Sequence, residues 1–175
     1  MVGSSGGGVD LMQESMSMQG IAEIPLVVYL AQRPGPGSGV PTYNTQGDLD
    51  MAVKGGHGEF PRVTVAPGDA VESVELTNQA FYFAENYRLL SVLLGDKHVG
   101  ESEFTYTEDP EIEEIERNIE DQEGGEFDNY KLTEDGNSPR SVSGKTIVKS
   151  TSYEHDEYGV TTEDPQEVTD MNDKR

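Results

Sequence analysis

The sequence predicts an α/β fold, consisting of a partial parallel sheet with flanking helices and then an extended acidic segment. Helical and strand patterns alternate up to residue 96. The strand segments are continuous apolar runs, such as PLVVYL and LLSVLL, rather than runs that alternate apolar with polar residues. This combination is typical of parallel strands that are covered by helices on both faces. After Glu101 the apolar runs stop and acidic residues dominate.

The first part of the chain is expected to open on a flexible loop. Ser4–Gly8 contains only serine and glycine, and Leu11–Ile21 has the composition of a helix. Pro25–Leu30 is the first predicted buried strand, and it ends at the proline- and glycine-rich segment Pro34–Pro41. Because no strand is predicted ahead of this one, we expect the earlier strands of the sheet to lie outside this chain.

Two more helices and two more strands complete the predicted sheet. Asp48–Lys54 predicts a short helix, and Arg62–Ala66 predicts a short strand. Asp69 should cap a helix over Ala70–Tyr87, whose apolar residues form two adjacent stripes and predict a broad face packed on the sheet. Leu89–Leu94 is the last predicted buried strand.

Residues 101–175 are predicted to form an acidic, mostly irregular connecting segment. Asp109 and Pro110 would begin one acidic helix with a narrow isoleucine stripe, which includes Ile112. The remainder has no apolar run longer than two residues, so it should run extended along another surface that orders it.

The charge of the chain excludes some partners. The sequence has 34 acidic and 12 basic residues, a formal net charge of −22, and 23 of the acidic residues follow residue 100. Such a surface repels phosphate backbones and anionic lipids, so neither nucleic acid nor a membrane is an expected partner. The chain has no cysteine and therefore no iron–sulfur cluster of its own. Because no secretory signal is visible, the expected location is the cytoplasm.

The segment Gln32–Thr42, QRPGPGSGVPT, is the strongest candidate for a functional loop. It follows a buried strand, which places it at the carboxyl edge of a parallel sheet, where α/β proteins bind ligands. Arg33 can pair with a carboxylate or a phosphate, and Ser38 and Thr42 carry hydroxyl groups. On these features alone, a rigid surface turn with a solvated arginine is the simpler interpretation, because glycine-rich loops are common.

The loop resembles the QRGGPSTGLPT signature of the alpha subunits of 2-oxoacid:ferredoxin oxidoreductases. Further motifs match that family in order along nearly the whole chain. They are SSGGG from Ser4, IAEIP from Ile21, TQGDL from Thr45, GGHGEFPR from Gly55, VAPGD from Val65, KLTEDGNSPRSVSG from Lys131 and EHDEYG from Glu154.

The resemblance implies that residues 1–100 are the C-terminal part of a thiamine-diphosphate-binding pyrimidine-type domain. In this family a beta subunit supplies the diphosphate-binding half, the magnesium site and an iron–sulfur cluster. The reaction oxidatively decarboxylates a 2-oxoacid, transfers the acyl group to coenzyme A and passes two electrons to ferredoxin. The resemblance is closest to the 2-oxoglutarate branch, which makes 2-oxoglutarate the expected substrate.

For the site, the resemblance implies that Arg33 binds the 2-oxoacid carboxylate, with Thr42 and Ser38 as hydroxyl partners. The sequence departs from the family at Pro34, which replaces a glycine, and at Gly37, which replaces a serine. It also lacks the family's YPITP-type segment and the upstream glutamate that contacts the aminopyrimidine ring. The isolated chain is therefore expected to be inactive.

The three histidines allow alternative interpretations. His57 is either a proton-transfer or substrate-contacting group or a hydrogen-bonded loop histidine, and the second reading is favoured. His155 suggests a metal ligand, but its acidic neighbours alternate in direction along an extended chain, so a polar interface loop is favoured. Nothing in the sequence distinguishes His98.

A function of another class also fits these observations. The missing part of the domain and the acidic tail are compatible with a non-catalytic interaction or assembly piece, which folds only with a partner subunit.

Overall fold

The computed structural model describes residues 1–107 and 109–175. Within these residues the chain forms two compact units, Met1–Gly20 with Ile24–Ile115, and Ile21–Glu23 with Glu116–Arg175. The strands are β1 Val2–Ser4, β2 Leu26–Ala31, β3 Arg62–Val65 and β4 Leu90–Gly95. The helices are α1 Gly7–Asp10, α2 Gln13–Ala22, α3 Leu49–Lys54, α4 Ala70–Tyr87, α5 Lys97–Glu101 and α6 Pro165–Lys174.

The four strands form one parallel sheet in the order β1-β2-β4-β3. The central pair aligns Leu26 with Leu90 and Ala31 with Gly95, so β2 and β4 end level with each other. The segments that follow β1, β2 and β4 therefore leave the sheet at the same edge. The predicted parallel α/β sheet is confirmed, and the order of its strands determines which loops meet.

The sheet buries apolar residues on both faces, as the continuous apolar runs predict. On one face Val28, Leu30 and Leu90 pack with Val9 of α1 and Met16 of α2. On the other face Val27 packs against α4. Because successive side chains of a strand point to opposite faces, a strand covered on both sides needs apolar residues at nearly every position.

Helix α4 has the predicted bounds but a narrower buried face. The Asp69 side chain accepts a hydrogen bond from the Glu72 amide and so caps the helix. Ala80 and Ala84 are buried, whereas Val74 and Tyr87, both predicted to pack, are 39% and 54% exposed. Small alanine side chains let the helix backbone approach the sheet closely, which leaves the flanking apolar residues at the margin of the contact.

The expectation that no strand of this chain precedes β2 is wrong, and the predicted loop Ser4–Gly8 is reduced to Ser5 and Gly6 between β1 and α1. Val2–Ser4 forms β1, which pairs with β2 through Val2 and Val28 and through Ser4 and Leu30. A strand of three residues with a central glycine carries too little periodicity to be recognised in a sequence.

The predicted acidic helix after Asp109 does not form, since residues 109–118 have no helical structure. Side chains of α4 bind this segment instead. The Glu111 amide donates to Glu75 Oε1, and the Glu113 amide donates to Asn78 Oδ1. These bonds fix the backbone of the segment to α4, so the tertiary contact replaces the local structure.

The second unit has a small core of its own. Tyr130 and His155 are fully buried and their ring centroids lie 4.1 Å apart, while Phe127 and Met171 are almost fully buried. Helix α6, which the sequence did not reveal, begins with a cap from Asp164 and supplies Met171 to this core. The residues of this core are too far apart in the sequence to form an apolar run.

No helix in residues 1–107 or 109–175 is both long enough and apolar enough to cross a lipid bilayer.

Candidate functional site

Three segments meet at the carboxyl edge of the sheet. Ser5 and Gly6 follow β1, residues 32–48 follow β2, and Asp96 and Lys97 follow β4. The segment between β2 and α3, residues 32–48, is called the arginine loop below. Its base is fixed to the sheet because the Gln32 amide donates to the Gly95 carbonyl at 2.8 Å.

Arg33 folds its side chain back over the arginine loop. Its Nη1 donates to the Ser38 carbonyl oxygen at 2.6 Å, and its backbone amide lies 3.4 Å from Asp48 Oδ2. The Arg33 Nε is buried and has no hydrogen-bond acceptor in the structure. A buried guanidinium donor without an acceptor is costly, so this edge of the side chain is suited to an incoming anion.

The backbone of Gly6 packs closely against that edge. A Cβ at position 6 would lie 2.9 Å from both Nε and Nη2 of Arg33, and Gly6 has a φ of 46°. Nε and Nη2 are two neighbouring donors that can bind both oxygens of a carboxylate. The glycine of the β1 loop therefore allows the close approach between this loop and the guanidinium.

The first half of the arginine loop is closed by its own backbone. The Val40 amide donates to the Pro34 carbonyl oxygen at 3.1 Å. Gly39, with a φ of 51°, allows this closure, because a Cβ there would lie 1.7 Å from the same oxygen. The Ser38 side chain is exposed, and the carbonyl of Ser38 rather than its hydroxyl contacts Arg33.

The second half of the loop is attached to the end of β4. Gln46 Nε2 donates to Asp96 Oδ2 at 2.7 Å, and the Lys97 amide donates to Asn44 Oδ1 at 3.0 Å. Lys97 Nζ donates to the Thr42 carbonyl oxygen at 2.5 Å. Thr42 is thus held through its backbone, and its side chain is exposed.

Asp96 is the centre of this attachment. Its Oδ1 accepts from the Val99 amide at 3.0 Å, which caps α5. The hydrogen bonds from Val99 and Gln46 hold the pKa of the Asp96 carboxyl below its usual range, although burial opposes them. The carboxylate is therefore ionised at neutral pH and acts as an acceptor for both groups.

Gly95, the last residue of β4, lies against the side chain of Tyr29 on β2. A Cβ at position 95 would lie 2.6 Å from the Tyr29 ring, so Gly95 accommodates Tyr29 on the neighbouring strand. Burial, followed by the charge of Asp96, raises the pKa of the Tyr29 hydroxyl.

The hydrogen bonds of His57 and His155 go to residues outside the arginine loop. The His57 amide donates to Ser17 Oγ at 2.6 Å, and His57 itself is exposed. His98 is an exposed residue of α5. His155, predicted in a polar interface loop, is instead buried in the second unit with both ring nitrogens near carbonyl oxygens.

The thiamine diphosphate implied by the family resemblance can be tested against these residues. A magnesium-bound diphosphate needs oxygen ligands for the metal. Over residues 1–107 and 109–175, no group of three His, Asp or Glu side chains is placed to hold a metal ion. The described residues therefore do not fit a complete site for the cofactor.

The sequence motifs identified Arg33 but not its surroundings. Gly6 and Asp96 became site residues only when the strand order placed the segments after β1 and β4 beside the arginine loop, and Gln46 only through its bond to Asp96. The available signal was that Asp96, like Arg33, directly follows a buried strand.

Comparison with known proteins shows which family the chain resembles. The model of the family described as pyruvate flavodoxin/ferredoxin oxidoreductase, thiamine diphosphate-binding, matches residues 1–174. A 2-oxoacid:ferredoxin oxidoreductase alpha subunit of Aeropyrum pernix is 39% identical over 166 residues, covering 93% of this chain and 26% of the relative. The 2-oxoglutarate synthase subunit KorA of Methanothermobacter marburgensis is 33% identical over 91% of this chain and 43% of the relative.

A solved structure has the same fold. The 2-oxoglutarate:ferredoxin oxidoreductase from Magnetococcus marinus, with 2-oxoglutarate, coenzyme A and succinyl-CoA bound, matches with a TM-score of 0.87 and 32% identity. The match covers 99% of this chain and 31% of that chain. The chain thus spans less than half the length of each of these three relatives.

Proposed function

Since this chain belongs to the pyruvate flavodoxin/ferredoxin oxidoreductase family, we propose that it is part of the alpha subunit of a 2-oxoacid:ferredoxin oxidoreductase. The enzyme would oxidatively decarboxylate a 2-oxoacid to an acyl-CoA and pass the electrons to ferredoxin. The proposed substrate is 2-oxoglutarate, because the relatives include a 2-oxoglutarate synthase subunit and the solved relative was determined with 2-oxoglutarate bound. The family match does not favour a non-catalytic assembly piece.

The observation that carries this proposal is the buried, unpaired Nε of Arg33 beside Gly6. In the proposed role, Arg33 binds the carboxylate of the 2-oxoacid through Nε and Nη2. A fixed guanidinium holds a planar acid in one orientation, so the neighbouring carbonyl is presented to the reacting group in a defined position. Ser38 and Thr42 are proposed to stand beside the bound acid as hydroxyl groups of the exposed loop surface.

The remaining groups of the reaction are proposed to come from elsewhere in the enzyme. Thiamine diphosphate, when bound, supplies the carbanion chemistry of decarboxylation. We place the diphosphate, its magnesium ion and an iron–sulfur cluster on a beta subunit. The chain has no cysteine, so cluster thiolates cannot come from it.

The proposed function is tested with the complete protein assembled with its partner subunits. We expect 2-oxoglutarate and coenzyme A together to reduce ferredoxin or a viologen dye and to yield succinyl-CoA. Use of pyruvate instead would refute the proposed substrate and leave the reaction class intact. Failure of every 2-oxoacid to support coenzyme A-dependent reduction would refute the proposed function.

The close packing of Gly6 against the Arg33 guanidinium gives a separate prediction. Alanine at position 6 would disfavour the positive φ by about 1–2 kcal/mol and push a methyl group against the guanidinium. We expect Gly6→Ala to raise the KM for the 2-oxoacid roughly tenfold in steady-state assays of the assembled enzyme. The matched control is Gly7→Ala, because a Cβ at Gly7 meets no atom within 4 Å. Equal KM values for the two variants would contradict the proposed binding of the carboxylate beside Gly6.

A further inference from the structure

The arginine loop is attached to the end of β4 by a hydrogen bond between Gln46 and Asp96. Gln46 Nε2 donates to Asp96 Oδ2 at 2.7 Å, the shortest of the side-chain bonds that join Asn44 and Gln46 to the end of β4. Asp96 is only 8% exposed, whereas Gln46 lies on the exposed surface of the loop. An exposed loop residue is thus held by a buried and ionised group.

The position of Asp96 is itself fixed from two directions. It follows Gly95, which pairs with Ala31 across the centre of the sheet. Its second oxygen accepts from the Val99 amide and so fixes the carboxylate over the start of α5. A carboxylate that accepts a bond from a rigid amide and is bound to a central strand has little freedom to follow the loop.

Asp48 links the attachment at Gln46 to the backbone of Arg33. Gly47 is the only residue between Gln46 and Asp48. The Asp48 amide lies 3.3 Å from Gln32 Oε1, and its carboxylate lies 3.4 Å from the Arg33 amide. A shift of Gln46 therefore moves the residue that supports the backbone of Arg33.

We infer that Gln46 and Asp96 form a positioning pair, which holds the arginine loop so that Arg33 presents Nε and Nη2 to the 2-oxoacid. This inference rests on the proposed function. The pair acts on substrate binding through Arg33 and does not contact the reacting atoms. Its effect should consequently be seen in the KM for the 2-oxoacid more than in kcat.

The test first adds a carboxylate at Gln46 and then removes the one at Asp96, in the assembled enzyme. Gln46→Glu places a second carboxylate against Asp96, and the two like charges should separate the loop from β4. We expect its KM for 2-oxoglutarate to rise roughly tenfold with kcat changed less than about twofold. The double variant Gln46→Glu/Asp96→Asn restores a hydrogen bond, because an asparagine amide can donate to the new carboxylate. Its KM should return to within about threefold of the original value.

Two further measurements separate positioning from a general loss of structure. In the Arg33→Ala background Gln46→Glu should add no further increase in KM, because the residue through which it acts is gone. Amide hydrogen exchange of the peptide containing residues 44–48 should accelerate in Gln46→Glu and recover in the double variant. Gln79→Glu is the matched control, since Gln79 is an exposed residue of α4.

Gln46→Ala covers the case in which Gln46→Glu does not assemble. It removes the bond without adding charge, and we expect a KM increase of about threefold. Unchanged KM in both single variants would overturn the inference, as would a fall in kcat that the double variant does not rescue. If Arg33→Ala raises KM while the Gln46 variants do not, only the positioning pair is refuted. If the original enzyme has no 2-oxoacid activity, the proposed function fails first.

Discussion

Replacing Arg33 with alanine should raise the KM of the assembled enzyme for the 2-oxoacid by roughly 100-fold or more. Hydrogen bonds to charged groups contribute about 1.5–3 kcal/mol each, and Arg33 offers two neighbouring donors beside Gly6. The substrate would lose binding energy, which raises KM, and also its fixed orientation, which lowers kcat. We expect kcat to fall less than KM rises. Steady-state kinetics with varied 2-oxoglutarate at saturating coenzyme A measures both constants.

Arg33→Lys distinguishes charge from geometry at the same position. Lysine keeps the positive charge but lacks the planar pair of donors, and it loses the bond from Nη1 to the Ser38 carbonyl. We therefore expect a KM between those of the original enzyme and the alanine variant. Lys54→Ala is the control for loss of a cation, because Lys54 is exposed and pairs with Asp50 on α3. An unchanged KM in Arg33→Ala would remove Arg33 from the carboxylate site.

Replacing His155 with alanine should destabilise the protein by about 2–4 kcal/mol. The ring is fully buried, with Nδ1 2.9 Å from the Asp156 carbonyl oxygen and Nε2 3.0 Å from the Ile21 carbonyl oxygen. Alanine leaves the buried oxygen of Ile21 without this partner and opens a cavity beside Tyr130, whose ring lies against the histidine.

Chemical denaturation followed by circular dichroism measures this loss. The second unit should unfold at a lower denaturant concentration in His155→Ala, and tyrosine fluorescence should report the change because the chain has no tryptophan. His98→Ala is the matched control, since His98 is exposed on α5. Identical unfolding midpoints for the two variants would show that His155 contributes no more than a surface residue.

The fold of the first unit was predictable where local pattern and burial agree. Helix α4 begins and ends where its cap and periodicity predict, and β2 and β4 coincide with the two continuous apolar runs. Strand β1 was missed because its pairing with β2, rather than its own sequence, makes it a strand. The acidic helix was wrong because Glu75 and Asn78 bind the backbone of that segment from α4.

The candidate site was predictable only in part, for a similar reason. Arg33 was found from a motif that is local in sequence. Gly6 and Asp96 are 27 residues before it and 63 residues after it, and only the strand order β1-β2-β4 makes them neighbours of the arginine loop. His155 was misread because burial depends on Tyr130 and Ile21, which lie far from it in the sequence.

A structure of the assembled enzyme with 2-oxoglutarate bound tests the central claim most directly. We predict one carboxylate of the substrate beside Gly6, with its two oxygens about 2.7–2.9 Å from Nε and Nη2 of Arg33. A substrate whose carboxylates both bind elsewhere, while the guanidinium still lies empty against Gly6, would contradict it.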